Sequence, residues 1–360
     1  MDYSGRQAVD KLRGERPDWI ADAAALHMPA NVPPWTDTGL TVERGDMVTI
    51  LATGDVIWSR LPDLQAAARY HLWCRIGDGD IFRLGSDTRT VTAADAGRLR
   101  LCIYHGSWAS RDGALKPPLD AYATLEGGFD VLVIRWGATS PDAGLERLAA
   151  LAAPNDPFTA ERARLRAARP LPAGFEPLWF VGHSEIFSET VVDGAPAIAL
   201  RADANAGIVR HPIDVALEPD VTLEWTWRVN RPPSRVREDA FATHDYTSLA
   251  LQFDDGRDLT WYWSAALPVD HHFGCPLPRW KGIETHLVVR SGPAGVGAWL
   301  DERRDVHADT VLALGAAPRR IVGVWLIAVS LFQRTQASVD FRRITIVRNG
   351  RRHDIFPHTE

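Results

Sequence analysis

The stretch from Thr243 to Gly292 constrains the fold more than any other part of the chain, because three segments within it alternate apolar and polar side chains with a period of two. Successive side chains of a β-strand point to opposite faces. In the strand expected over Thr247–Phe253, Leu249, Leu251 and Phe253 share one face, while Ser248, Ala250 and Gln252 share the other. In Leu259–Ser264, Leu259, Trp261 and Trp263 oppose Thr260, Tyr262 and Ser264; in Glu284–Arg290, Thr285, Leu287 and Val289 oppose Glu284, His286 and Val288. Each strand therefore has an apolar face for a core and a mixed face. Side by side, the mixed faces carry Gln252, Tyr262, Glu284 and His286, with His244 and Asp245 at the edge. Such a surface can hold a ligand, or it can be the solvated outside of a sandwich.

The rest of the chain repeats the theme with less chemistry. LTVERGDMVTILATGDVIW holds apolar runs broken at Arg44-Gly45-Asp46 and Gly54-Asp55; HLWCRIGDG, RLRLCIYHG and GGFDVLVIRWG are further strands closed by turn residues. Strands at this spacing without intervening helices predict an all-β fold of two β-sandwich, jelly-roll-like domains. At 360 residues the chain exceeds the usual size of one domain. The expected division is a partly helical lead-in over 1–38, with a helix from Asp10 to His27 ended by Pro29, Pro33 and Pro34; a first sandwich over 39–139; a helical linker over 140–172; and a second sandwich over 173–360. The linker is Ala- and Arg-rich and is interrupted by Pro154 and Pro157, which suits two short helices bridging the halves.

Several functions are excluded or disfavoured. A net charge of -6 argues against a nucleic-acid partner, whose phosphates require a basic surface; the cluster Arg342, Arg343, Arg348, Arg351 and Arg352 suits a solvated strand and tail. No apolar run reaches the roughly 18 residues of a membrane span. The charged N-terminus lacks an apolar signal core, so a cytoplasmic protein with reduced Cys74, Cys102 and Cys275 is expected. GxSxG, GxxxxGK[ST] and HExxH are all absent. Asp270-His271-His272 is the nearest approach to a metal cluster, but zinc draws three or four ligands from separated positions, so neither a metal nor a cofactor is expected.

Two resemblances refine this picture. GDMVTILATG, LWCRIGDG, GRLRLCIYHG and GGFDVLVIRWG, spanning Gly39 to Gly137, resemble the calcium-dependent galactose-binding lectins typified by the bacterial PA-I lectin. That resemblance implies a β-sandwich. It does not bring a calcium site, since the Asn and Asp ligand positions are held here by His105-Gly106 and Glu126-Gly127. From Gly174 to Val347, ALRADANAGIVRHPID, LEWTWRV, LVVRSG, ERRDVHAD and RIVGVWLIA resemble DUF3047, a bacterial family of unknown function, and imply a jelly-roll sandwich. The chain departs from that family's pattern in two places. Thr243-His244-Asp245 stands where an acidic pair is expected, and SLFQRTQA replaces an acidic, Asn-containing turn.

Three functions remain open. One is a cofactor-independent enzyme of lyase, isomerase or cyclase type, using general acid–base chemistry on a small, largely apolar or ring-containing organic molecule such as a biosynthetic intermediate. His244, Asp245, Tyr262, Glu284 and His286 would be catalytic. Trp225, Trp227, Gln252, Trp261, Trp263 and Phe273 would bind the substrate, under a lid formed by residues 264–283. The second is a carbohydrate-binding, lectin-like protein without catalysis, which the 14 tryptophans favour. The third is a scaffold with no small-molecule site. A small-molecule ligand is the expected partner, and a homo-oligomer is left open.

Overall fold

The computed structural model of the chain describes residues 19–356, apart from positions 33, 117, 153–155, 168 and 169. The fold is all-β, with sheets layered face to face. The chain divides into two compact units, Met1–Ala168 with Gly182–Ser184, and Arg169–Val181 with Glu185–Glu360.

The first unit contains β1 (Ile20–Pro29), β2 (Thr36–Val42), β3 (Met47–Thr53), β4 (Asp55–Arg60), β5 (Asp63–Ala67), β6 (Leu72–Ile76), β7 (Phe82–Arg83), β8 (Thr88–Thr92), β9 (Gly97–Ile103) and β10 (Glu126–Trp136). One sheet runs β5-β4-β10-β3-β8 with β1 also paired to β10, and the other runs β2-β9-β6-β7. Val48, Ile50, Phe129, Val131 and Val133 face Leu40, Leu72, Cys74, Leu99 and Leu101 across the core. The alternate residues Leu51, Leu132, Ile134 and Trp136 pack instead on Leu145, Leu148 and Phe158. Both faces of β10 are thus covered, which is why VLVI reads as an unbroken apolar run.

Two sequence expectations are corrected here. Where a helix from Asp10 to His27 was expected, Ile20–Pro29 is a strand; positions 10–18 of that helix lie outside the described residues. β1 pairs with β10 from Ile20↔Trp136 to Pro29↔Gly128. The helix preference of its alanines amounts to a few tenths of a kcal/mol per residue, about what a full ladder with a buried face overrides. Gly128 permits the close approach, since a Cβ there would lie 2.3 Å from the Met28 carbonyl oxygen. The second correction concerns the linker. Its helices form over Pro141–Ala149 and Pro157–Ala167, but Leu145, Leu148 and Phe158 bury them on the first unit's own sheet, so they do not form a free bridge.

The second unit contains β11 (Glu176–Pro177), β12 (Phe187–Val192), β13 (Ala195–Asp203), β14 (Ala206–Ala216), β15 (Thr222–Arg231), β16 (Tyr246–Phe253), β17 (Asp258–Ser264), β18 (His272–Gly274), β19 (Glu284–Ser291), β20 (Leu300–Asp305), β21 (Arg320–Val329), β22 (Gln336–Arg348) and β23 (Arg351–Phe356). A seven-stranded sheet, β11-β14-β21-β16-β17-β19-β18, packs on a six-stranded one, β12-β13-β22-β15-β20 with β23 on β22. Leu249, Leu251, Phe253, Leu259, Trp261, Trp263, Leu287 and Val289 all enter the core between them, as their alternation predicts. β17 and β19 are parallel, with Thr260 opposite His286. Parallel neighbours need a crossover rather than a hairpin. Residues 265–283 provide it, and within them β18 adds an edge strand beside β19.

Candidate metal centre

The second face of β16, β17 and β19 is not solvated. Ser248, Thr260, Tyr262, Ser264 and His286 are fully buried, and Glu284 is only 3% exposed. Polar side chains removed from water must find partners. Here they converge, as two residues earlier or later along each strand return to the same face.

His286 is enclosed by rings. His244 and Tyr246 stand edge-on at 4.7 Å between centroids, Tyr262 at 5.6 Å, and Phe273 stacks on it at 5.0 Å. Neither Nδ1 nor Nε2 of His286 has a hydrogen-bond partner among the described residues, although Nε2 is 3.6 Å from Oε1 of Glu284. On the other side, Sγ of Cys275 lies 3.3 Å from Nε2 of His244. The backbone N–H of Cys275 donates to the Glu284 carbonyl at 2.9 Å, which fixes the thiol beside β19. One donor atom from each of His244, Cys275, Glu284 and His286 lies within 4.8 Å of the others, and all four residues are buried.

The surroundings suit these four to metal ligation. The Glu238 carbonyl, which can only accept, is 2.5 Å from Nδ1 of His244, so Nδ1 carries the proton and Nε2 presents a lone pair to the cluster. Burial, aided by His286, lowers His244 to about 4, so the ring is neutral near neutral pH. Burial works to raise Glu284, but the facing His286 and a 2.7 Å hydrogen bond from the Tyr246 hydroxyl outweigh it and hold the carboxyl below its usual range. Burial and the Glu284 charge push the Cys275 thiol far up. A cation among them reverses that last effect, because a coordinated thiol is deprotonated. A tetrahedral zinc ion with ordinary bond lengths spaces its donors by roughly 3.3–3.7 Å. The sulfur–nitrogen and nitrogen–oxygen separations of 3.3 and 3.6 Å fall in that range.

The other residues singled out in the sequence lie outside the donor set. Asp245 clamps a turn, accepting from the backbone N–H groups of Phe332 at 2.9 Å and Gln333 at 2.7 Å, while burial raises it to about 6. Tyr262 lines the cluster with its ring and directs its hydroxyl to Glu238 at 3.4 Å. Gln252 accepts from Arg210 at 3.1 Å and is not in the donor set. Trp225, Trp227, Trp261 and Trp263 are core residues between the two sheets. Trp261 and Trp263 share β17 with Tyr262 but point the opposite way, and Trp225 and Trp227 come from β15 of the facing sheet, so none of the four walls the cluster; Phe273 does. Asp270, His271 and His272 do not join the donors; His271 is half-buried and His272 exposed. Cys275 and Glu238 escaped the sequence reading. The alternation Phe273-x-Cys275 beside Glu284-x-His286 was the available signal, but it is legible only once β18 is known to pair with β19.

A search among curated proteins returned no match. Among solved structures, the chain is similar to a PllA-like lectin, the EclA N-terminal domain, at 20% identity over 31% of this chain and 95% of that one, with a TM-score of 0.25. It is similar to the xyloglucanase domain of NopAA from Sinorhizobium fredii at 8% identity over 49% of this chain and 99% of that one, with a TM-score of 0.27. An ENZbleach xylanase variant matches at 11% identity over 53% of this chain and 89% of that one, with a TM-score of 0.25. Scores this low carry no functional inference, and the lectin resemblance of the first half rests on its strand pattern alone. The second half is placed more firmly: residues 173–345 match the family DUF3047, described as a protein of unknown function.

Proposed function

We propose that the second sandwich binds one divalent transition-metal ion, zinc above all, through His244, Cys275, Glu284 and His286. The supporting observation is the convergence of four donor atoms of compatible type, from three separate segments, within 4.8 Å. The buried and unpaired imidazole nitrogens of His286 add to it, since such groups are costly unless something engages them. Thiolate and imidazole select zinc-like ions over calcium or magnesium.

Four protein ligands, none more than 3% exposed, suit a closed centre rather than one with an open position for substrate. Such an ion ties the segment carrying His244 and the 265–283 crossover to β19. The role is accordingly that of a metal-stabilised binding scaffold. General acid–base turnover by the same histidines and Glu284 would require the covering segments to move away.

Metal analysis of the purified chain tests this. About one zinc per chain is expected, with loss of that zinc in each single alanine variant of the four donors. Chelation should lower the melting temperature, and zinc, but not calcium, should restore it. A metal-free wild-type protein that takes up no zinc, cobalt or iron when these are supplied would overturn the proposal.

A further inference from the structure

Three of the four donors belong to one hydrogen-bonded ladder. Glu284 and His286 lie on β19, Phe273 of β18 pairs with His286, and the Cys275 N–H donates to the Glu284 carbonyl at 2.9 Å. His244 stands outside that ladder, near the end of the segment 232–245 that joins β15 to β16. The contacts that hold this segment down therefore decide whether the fourth donor stays beside the other three.

Glu238 is buried in the middle of the segment, at 1% exposure, although the exposed Arg237 before it pairs with the half-buried Asp239 after it. A carboxyl so placed must be met by donors. Oε1 accepts from the backbone N–H of Ala265 at 2.7 Å, and Oε2 accepts from the hydroxyls of Ser264 at 2.6 Å and Tyr262 at 3.4 Å. The direction at Ser264 is fixed by its own neighbours. Its Oγ accepts from the N–H groups of Ala266 at 3.2 Å and Leu267 at 2.9 Å, which leaves its proton for Glu238. The main-chain carbonyl of Glu238 meanwhile accepts from Nδ1 of His244 at 2.5 Å. One residue thus grips the end of β17 and the entry to the 265–283 crossover with its side chain, and orients the His244 ring with its backbone.

We propose that Glu238 is the latch of the metal centre, holding Nε2 of His244 toward the other three donors and setting how fast the ion is released. The second half of this rests on the metal reading; the orientation of the His244 ring stands without it. Glu238 is a positioning residue that acts through His244 and touches no ion. Release requires His244 to swing away with its segment, and the contacts of Glu238 to Ser264 and Ala265 oppose that swing. Asp245 ties the same segment elsewhere, to the N–H groups of Phe332 and Gln333. It therefore provides a control that loses buried hydrogen bonds without freeing the latch.

Nitrogen-15 NMR of the chelator-treated protein, with H244Q to assign the signal, reads the first half. Wild type is expected to show an imidazole N–H from Nδ1 of His244 that exchanges slowly with water, lost in E238A and kept in D245A. Absence of that signal in the wild type, or an unchanged signal in E238A, overturns the proposal whether or not a metal binds. Zinc transfer from the loaded protein to a chromophoric chelator reads the second half. E238A is expected to release zinc about tenfold faster than wild type and D245A within about twofold of it. S264A, which removes one donor and leaves the glutamate in place, shifts the rate in the same direction as E238A and carries both comparisons if E238A does not fold. Equal acceleration in E238A and D245A would reveal general loosening and overturn the latch, as would wild-type release in both E238A and S264A. If the wild type takes up no zinc but the N–H signal behaves as expected, the metal reading alone fails.

Discussion

Cys275 holds its sulfur 3.3 Å from Nε2 of His244, although 31 residues separate them in the chain. The contact closes the crossover between β17 and β19 onto the segment that leads into β16. It also supplies the one soft donor in an otherwise nitrogen and oxygen set.

That donor has a spectroscopic signature. Cobalt substitution of the wild type is expected to give a thiolate-to-metal charge-transfer band in the near ultraviolet. C275S should retain cobalt d–d absorption and lose that band. A band of equal strength in C275S would place Cys275 outside the coordination sphere.

His244 should make the metal-free fold sensitive to acid. Its folded value lies below its ordinary one, 6.5 against about 4, because burial disfavours the charged ring. Below pH 6.5 the unfolded chain takes up a proton that the folded chain refuses until about pH 4. The resulting stability is therefore full above the first value and lost as pH falls through the second, a span worth about 3 kcal/mol. Urea unfolding of chelator-treated wild type and H244Q across this range checks it. The wild type's margin should narrow on acidification, and a constant or widening margin contradicts the assignment.

Asp245 should be separable from the metal. D245A leaves the N–H groups of Phe332 and Gln333 without their acceptor, at a cost of about 1–3 kcal/mol. Its zinc content should equal that of the wild type when both are folded. Loss of zinc in a folded D245A would bring Asp245 back into the site.

Aromatic residues on the two faces should behave differently. Trp225 is fully buried in the core, and W225A is expected to cost about 3–5 kcal/mol. Phe273 stacks on His286 from the crossover side. F273A should change stability less but speed zinc loss to a chelator by about tenfold, because it admits solvent to the donors. The reverse pattern would put the tryptophans around the centre after all.

Much of this architecture is written in side-chain periodicity. The alternation in β16, β17 and β19 puts Leu249, Leu251 and Leu287 on a core-facing side, because a strand has only two faces; Trp261 and Trp263 share that side and are core too, although they were expected to bind a substrate. It also brought Glu284 and His286 onto one surface. Pairing was not legible in the same way. Nothing local distinguishes a parallel β17–β19 pair from a hairpin, and the helix-favouring alanines of Ile20–Pro29 gave no warning of the ladder with β10. Whether the polar face was dry or wet also depended on segments distant in sequence, since it is residues such as Glu238, Phe273 and Cys275 that cover it. The sequence alone determined which residues could share a face. Only the tertiary structure decided that a lone cysteine in the crossover and a histidine before β16 meet on that face, because ligand geometry arises from which strands neighbour one another and not from spacing along any one of them.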